Sequence, residues 1–428
     1  MADPTGRDAV AAVWRIESAR IVGALARYTG DFALAEDLAQ EALAEALVTW
    51  PREGAPRNPA GWLLTVGRRR AIDAFRRRAS LDERYAAMAR DLGEGGALSG
   101  ADPVADDPEA VLWDPDRIDD DVLTLIFISC HPVLSREARV ALTLRVVGGL
   151  TSDEIARAFL TPTATVQARI TRAKKTLGAA GVPFEPPSAA ERSARLGSVL
   201  SVVYLIFTEG SSASSGGELI RFDLAGEAQR LARVLAHLVP TEPEVLSLLA
   251  LLELTAARFP ARTGPDGEPI LLEHQDRRRW DRAAIARGRA ALAKAIEQGR
   301  GLGAYGLQAA IAECHAVAPS VAETDWERIV LLYEALDRLT PSPVVALNRA
   351  VAVSMARGPA AALPLVDALA AESAFAGSHL LPGVRGELLI RLGRPEEART
   401  ELERAVTLCG NDRERTVLTA KLAALAST

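Results

Sequence analysis

The sequence predicts an all-α protein, and three observations support this fold class. Ala, Leu and Arg are abundant, and these residues have high helix propensity. Aromatic residues, which favour strands, make up only 5% of the 428 residues. Apolar residues recur at helical spacing in most segments. Because 49% of the residues are hydrophobic, the chain can bury several cores, and we expect two to four helical domains.

The composition also argues against several classes of protein. The three cysteines are far apart, match no metal-ligand or disulfide spacing, and are typical of a reducing cytoplasm: Cys130, Cys314 and Cys409. No apolar run approaches the roughly 20 residues that cross a bilayer, and the N-terminus has no signal-peptide pattern. No nucleophile–base pair or phosphate loop is recognisable. We therefore expect a cytoplasmic protein that is not an enzyme, with no membrane partner, catalytic residue, metal or cofactor.

The charge is distributed unevenly along the chain, although the net charge is −6. Residues 1–80 carry +2, residues 81–121 carry −10 and residues 122–185 carry +4. Local charge decides contact with phosphates, because fields fade over about 8 Å at physiological salt. The two basic segments can therefore bind nucleic acid. The acidic segment predicts a linker, 81–117, that keeps them apart as separate modules and is either simply solvated or masks their basic faces.

Residues 8–80 form the first predicted module. Its first helix has apolar residues at core spacing: Val13, Ile16, Ile21, Leu25 and Tyr28. Its second helix, about 33–50, has a second such row: Leu34, Leu38, Ala42 and Val48. The opposite face of that helix is polar and largely acidic: Glu36, Asp37, Gln40, Glu41 and Glu45. Such a face repels DNA and suits either solvent or a basic protein partner.

A third helix of this module begins after a loop at residues 51–59. Asn58 is a good N-cap, and Pro59 suits the first helical position. Trp62 has the spacing of a core residue, with base stacking as the alternative. The rest of the helix is rich in arginine: Arg68, Arg69, Arg70, Arg76, Arg77 and Arg78. Guanidinium groups bind phosphates bidentately, so this helix predicts a phosphate-binding surface.

Residues 118–182 form the second predicted module. Thr151 and Glu154 have the spacing of a capping box and open a short helix. A turn at Thr161 and Pro162 leads into a second helix, about 163–177, and this pair predicts a helix-turn-helix. The second helix has polar and basic residues suited to DNA: Thr163, Thr165, Gln167, Arg169, Arg172, Lys174 and Lys175. An ordinary helical hairpin with the same core is the alternative.

These motifs together resemble bacterial sigma factors of the sigma-70 family, and most closely the extracytoplasmic function (ECF) group. The resemblance is carried by six short stretches: DLAQE at 37–41, WL at 62–63, IDAFRR at 72–77, GLT at 149–151, EIA at 154–156 and TVQARITRAK at 165–174. It implies a region-two domain that binds the β′ and β subunits of core RNA polymerase and opens the minus-ten element. It also implies a region-four helix-turn-helix that reads double-stranded promoter DNA at minus thirty-five.

The resemblance also assigns roles to individual residues. Polymerase binding falls on Asp37, Gln40 and Glu41. Residues 51–58 correspond to a loop that receives a flipped base of the melted minus-ten strand. Minus-ten DNA binding then includes Arg52, Arg57, Asn58, Arg68, Arg69, Arg70, Arg76 and Arg77. Minus-thirty-five binding falls on the seven residues of the second helix of the helix-turn-helix.

The C-terminal half continues well beyond the end of a minimal ECF sigma factor. Residues 186–283 predict a helical extension, and residues 284–428 predict helix pairs that repeat at roughly 34 residues, close to the tetratricopeptide (TPR) period. Stacked pairs form a concave surface suited to a protein or peptide partner, with a closed helical domain as the alternative. This half resembles the TPR-like extension of one ECF subgroup, which implies a fused regulatory domain.

The sequence leaves two functions open and argues against a third. The favoured one is a sigma factor with a fused regulatory domain. The alternative is a stand-alone helix-turn-helix regulator with a TPR-type sensor, in which the first module is only a scaffold. A helical scaffold without a role on DNA is hard to reconcile with six arginines on one helix.

Overall fold

The computed structural model describes most of the chain. The described residues are 6–91, 115–159, 161–185, 188–211, 220–264, 268–370, 375 and 377–426. They contain helices, two short 3₁₀ turns and no strand; Thr263 and Pro269 form one isolated bridge. The predicted all-α class is therefore confirmed. Within these ranges, no helix is both long and apolar enough to span a bilayer.

The chain divides into two compact units, residues 1–202 and residues 203–428. The first unit contains seven helices within its described residues: α1 (Gly6–Thr29), α2 (Phe32–Glu53), α3 (Pro59–Asp91), α4 (Pro115–Ser129), α5 (Arg136–Val146), α6 (Ser152–Ala158) and α7 (Thr163–Ala179). Helix α8 (Ala189–Ser211) begins in this unit and ends in the next. The predicted acidic linker falls partly on α3, which continues to Asp91, and otherwise mostly on residues 92–114, outside the described residues.

Helix α1 is the centre of the first unit. It packs against α2 and α3, and also against α4 and α5. Its buried residues are Val10, Trp14, Ser18, Ala19, Ile21, Val22, Ala24, Leu25 and Ala26. Ile16, which was expected in the core, is 69% exposed, and Tyr28 is also exposed. Ile21 and Leu25 of the same expected row are buried, so the core face of α1 was predicted in part and includes Trp14 instead of Ile16.

Helix α2 begins at an N-cap, where Oδ1 of Asp31 accepts hydrogen bonds from the backbone of Ala33 and Leu34. Its last buried residue, Trp50, meets the ring of Trp62 edge-on at 5.6 Å. Trp62 is therefore a packing residue, as its spacing predicted. Two assignments on α2 were wrong, since Val48 is exposed and Glu36 is buried.

The second unit consists of helices and loops. Its described helices after α8 are α9 (Phe222–Leu238), α10 (Pro243–Ala256), α11 (Phe259–Arg262), α12 (Arg282–Glu297), α13 (Ala304–Val317), α14 (Trp326–Leu339), α15 (Pro343–Arg357), α16 (Pro359–Ala370), α17 (Leu380–Arg391), α18 (Pro395–Leu408) and α19 (Asp412–Ala426). From α14 to α19 each helix packs mainly on its sequence neighbours, which is how helical repeats are built. One apolar cluster containing Val330, Leu347, Val366 and Leu389 runs through these helices.

Candidate nucleic-acid interface

The arginines of α3 differ in what they contact. Arg69, Arg76, Arg77 and Arg78 are exposed. The guanidinium of Arg68 lies 5.1 Å from the centre of the Tyr28 ring, in a cation–π contact. Because these four arginines are exposed, α3 has a basic surface that phosphates can contact.

Arg70 instead points at the acidic side of α2. Its Nη1 donates to Glu41 at 2.9 Å and its Nη2 donates to Glu45 at 2.7 Å. The hydrogen bond to Glu45 raises the pKa of Arg70. Two residues predicted to bind different partners, Arg70 and Glu41, therefore bind each other here.

Between the last turn of α2 and the start of α3, the exposed residues include Arg52, Arg57 and Asn58. The helix α2 extends to Glu53, so Arg52 lies in its last turn rather than in the expected loop. Oδ1 of Asn58 accepts from the backbone of Gly61 at 3.0 Å, which is the predicted cap. A Cβ at Gly61 would lie 2.6 Å from Nδ2 of Asn58. A larger residue there would therefore force the capping side chain to shift.

The helix-turn-helix consists of α6 and α7. The capping box at its start is present: the backbone and hydroxyl of Thr151 both donate to Glu154, whose backbone N–H donates back to the Thr151 hydroxyl. Ile155, Val166 and Ile170 are buried between the helices. This arrangement confirms the predicted local fold.

The predicted DNA-reading residues on α7 are of two kinds. Gln167, Arg172 and Lys175 are exposed, while Thr165 and Arg169 are half-buried. The hydroxyl of Thr163 donates to Oδ1 of Asp153 at 2.8 Å, which ties the start of α7 to α6. The exposed members lie on an open side of α7, where contact with DNA remains a prediction.

Lys174 does not lie on that open side. Its Nζ donates to Oε2 of Glu36 at 2.7 Å and to Oδ1 of Asp37 at 2.6 Å. Nε of Arg145 donates to the other oxygen of Glu36 at 3.3 Å. Burial lowers the pKa of Lys174, but the two carboxylates outweigh burial and the pKa is raised. We call Glu36, Asp37, Arg145 and Lys174 the clasp.

The clasp explains why Glu36 can be buried. A buried carboxylate is costly unless it is paired, and Glu36 has two cationic partners. Two further contacts join the same two modules through α1: Arg15 pairs with Glu154 at 2.5 Å, and Gly149 lies against Ser18 and the carbonyl of Trp14. The two modules are thus packed together, contrary to the expectation of separate modules. The acidic face of α2 and the basic residues of α7 are the sequence features that indicate this contact, although each was predicted to bind an external partner.

The start of α8 is also part of the first unit, which the sequence did not indicate. Arg195 donates from Nη2 to the carbonyl of Phe127 at 2.8 Å, and Ser198 donates to the carbonyl of Cys130 at 2.9 Å. Arg139 donates to the Ser198 hydroxyl at 2.8 Å. Helix α8 therefore caps the end of α4 with side chains that follow the helix-turn-helix in sequence.

Cysteine spacing predicted no metal ligands, but the fold brings Cys409 close to His379 and Glu414. Their ligand atoms lie within 4.8 Å of one another. Nε2 of His379 is 3.2 Å from Glu414, and Sγ of Cys409 donates to the carbonyl of Asn411. Burial raises the pKa of the Cys409 thiol. His379 and Glu414 already pair with each other and Cys409 with Asn411, so we assign no metal to this cluster.

The comparisons with known proteins agree with the two modules. Residues 15–81 match the family model of sigma-70 region 2, and residues 124–177 match that of sigma-70 region 4. Residues 195–296 match a family of unknown function (DUF6596). The chain belongs to the sigma-70 family as an ECF-type sigma factor with a C-terminal extension.

Two relatives and one solved structure are similar to parts of this chain or to most of it. Uncharacterized protein R00370 of Rhizobium meliloti (strain 1021) is 46% identical over 411 residues, covering 95% of this chain and 93% of that protein. ECF RNA polymerase sigma factor SigK of Mycobacterium ulcerans is 29% identical over 175 residues, covering 40% of this chain and 84% of that protein. A tetratricopeptide repeat protein from Parabacteroides merdae has 13% identity and a TM-score of 0.33, and the match covers 64% of this chain and 98% of that one.

Proposed function

We propose that this sigma factor directs promoter-specific initiation in the cytoplasm and is regulated by its own C-terminal half. Asp37, Gln40 and Glu41 on α2 contact the β′ subunit of core polymerase. The exposed arginines of α3, with Arg52, Arg57 and Asn58, hold the melted minus-ten strand. The exposed side of α7 reads duplex DNA at minus thirty-five. The protein acts by binding and has no catalytic residue.

The clasp is the observation that carries this proposal. Asp37 belongs to the surface proposed for polymerase, and Lys174 belongs to the helix proposed for DNA, yet their side chains are 2.6 Å apart. This contact competes with both proposed external partners. The proposed active form therefore requires the clasp to open.

Helix α8 supports a role for the extension. Arg195 and Ser198 bind the carbonyl end of α4, which packs on α5 and α1. A partner that moves α8 would disturb the packing on which the clasp depends. We propose that a protein or peptide bound by the C-terminal half acts by this route.

Run-off transcription with purified core polymerase on a pool of promoter fragments tests the function. The full chain is compared with residues 1–185, which lack α8, and residues 1–202, which keep its capping residues. Transcripts that depend on the protein, with different yields from the full chain and 1–202, support regulation by the extension. Duplex DNA binding without core polymerase binding would favour a stand-alone helix-turn-helix regulator.

A matched pair of substitutions tests the clasp. Lys174→Gln and Lys175→Gln remove the same charge from adjacent positions of α7, but only Lys174 contacts α2. Binding to core polymerase is measured without DNA. We expect Lys174→Gln to bind several-fold more tightly than the unaltered chain and Lys175→Gln to bind equally. Equal binding by both variants would contradict a closed form held by the clasp.

A further inference from the structure

The second unit contains a cavity of about 480 Å³ that has no role in the proposed function. Its walls come from α8, α10, α13, α14 and α15, and Arg258 follows α10. Small-molecule sites typically have volumes of about 300–1,000 Å³. The cavity is therefore large enough for a metabolite-sized ligand.

Among the described residues that line the cavity, Arg258 carries the positive charge and none is Asp or Glu. Its guanidinium lies 5.4 Å from the centre of the Trp280 ring, and its Nε has no hydrogen-bond partner among the described residues. Burial, together with Arg262 and Arg277, lowers the pKa of Arg258 to about 10, so it is still cationic at neutral pH. No described carboxylate pairs with this arginine, so its charge is available to a ligand.

His315 lines the same cavity but is neutral. Burial, with Arg258 and Arg277, lowers its pKa to about 4. Its ring meets Trp326 edge-on at 5.2 Å, and its Nδ1 has no partner within the described residues. It can therefore donate or accept a hydrogen bond, but it adds no second charge.

The remaining lining residues include both polar and apolar side chains. The hydroxyl of Tyr204 donates to Oε1 of Gln308 at 3.0 Å, which fixes both groups. Burial raises the pKa of Tyr333 to about 12, so its hydroxyl keeps its proton. The apolar lining residues are aliphatic and include Leu251, Ile311, Leu336, Val344 and Val345. A ligand with a polar group and an apolar body suits this mixed lining.

We propose that this cavity binds a small organic carboxylate. The carboxylate pairs with the guanidinium of Arg258, whose planar fork matches two carboxylate oxygens. His315 supplies a neutral hydrogen bond, and the apolar body lies against Ile311 and Leu336. A phosphate monoester carries nearly two charges at neutral pH, which one arginine does not balance. The site is independent of the proposed role in transcription, because binding is measured without polymerase.

Isothermal titration of the full chain tests the proposal with two carboxylates and their neutral amides. The probes are benzoate and hexanoate, benzamide and hexanamide, and inorganic phosphate, each up to about 10 mM. We expect one carboxylate or both to bind at one site per chain, with the matching amide at least about tenfold weaker. Absence of binding by both carboxylates, equal binding of acid and amide, or tighter binding of phosphate would each overturn the proposal.

Three variants locate the binding. Arg258→Gln should weaken carboxylate binding at least about tenfold, whereas Arg289→Gln, which removes an exposed arginine paired with Glu313, should leave it unchanged. Val345→Phe narrows the cavity without altering Arg258 and should also weaken binding. Unchanged binding in folded Val345→Phe and Arg258→Gln, with folding checked by circular dichroism, would place the ligand elsewhere.

Discussion

The amine of Lys174 donates a hydrogen bond to the buried carboxylate of Glu36 across 2.7 Å. This contact joins the helix of region four that is proposed to read DNA to the helix of region two that is proposed to bind polymerase. Because Arg145 contacts the same carboxylate, Glu36 depends on both cations and they depend on it. The most informative substitutions are therefore those at Glu36.

Glu36→Gln should destabilise the protein by about 3 kcal/mol, because it removes the buried carboxylate that pairs with Arg145 and leaves Lys174 with Asp37 alone. Urea denaturation at pH 7 measures the effect. Glu41→Gln is the matched control, since Glu41 lies on the same helix and pairs with an arginine but is exposed. Its cost should be below about 1 kcal/mol. Similar costs at both positions would show that burial does not set the strength of the clasp.

Gly149→Ala should destabilise the first unit by more than about 1 kcal/mol. The backbone at Gly149 has φ of +68°, and a Cβ there would meet Oγ of Ser18 at 2.7 Å. Gly178→Ala is the control, because Gly178 is helical with no atom within 4 Å of an added Cβ. This change should be neutral or stabilise by up to about 1 kcal/mol. Thermal unfolding of the two variants distinguishes these outcomes, and a reversed order would refute the close approach of α1.

The capping box should make stability depend on acid pH. Burial raises the pKa of the Glu154 carboxyl, but hydrogen bonds from Thr151 and the charge of Arg15 outweigh it, so the pKa lies below its ordinary 4.5. This contribution is present above pH 4.5 and is lost as the pH falls through the lower folded-state value. Glu154→Gln should therefore cost about 1 kcal/mol at pH 7 and progressively less below pH 4.5. A pH-independent cost in urea titrations would contradict the role of the carboxylate.

Protonation of His315 should destabilise the second unit as the pH falls from 6.5 to about 4. Its folded pKa of about 4 lies below the ordinary 6.5, so the unfolded chain binds the proton more readily in this range. Stability is therefore lost as the pH falls through this range, by up to about 3 kcal/mol. His315→Asn should remove this dependence.

The control for that experiment is His274→Asn, because His274 is exposed. The groups near His315 include two arginines and the two tyrosines that line the same cavity: Arg258, Arg277, Tyr204 and Tyr333. None of them changes charge between pH 4 and 6.5, so the dependence belongs to the histidine. Urea unfolding across this pH range provides the measurement. An equal pH dependence in both variants would be inconsistent with a buried neutral His315.

The sequence was informative wherever a local rule determined the structure. The succession of helices from α14 to α19 agrees with the predicted helix pairs, because proline at several helix starts and loop residues between helices mark their limits. The capping box of Thr151 and Glu154 and the cap at Asn58 were also identified correctly, since each needs only residues two to four positions apart.

The sequence did not predict burial or contacts that depend on segments far apart in the chain. Helical spacing places Glu36 on a polar face, but it does not show that α7 covers this face with Lys174. In the same way, the exposure of Ile16 follows from contacts of α1 with α4 and α5, more than 100 residues away. Arg258 is one of many arginines in the sequence, and only the fold shows that it lines a cavity with no carboxylate partner in the described part of the chain.

The capping of α4 by α8 determines where the two halves of the gene can be separated or recombined. A chimera joined directly after the helix-turn-helix would lose Arg195 and Ser198, leaving the carbonyl ends at Phe127 and Cys130 without these donors. A junction placed after residue 202 would carry both donors with the sigma module. Exchange of extensions between related sigma factors should therefore succeed when the first part of α8 is inherited with region four.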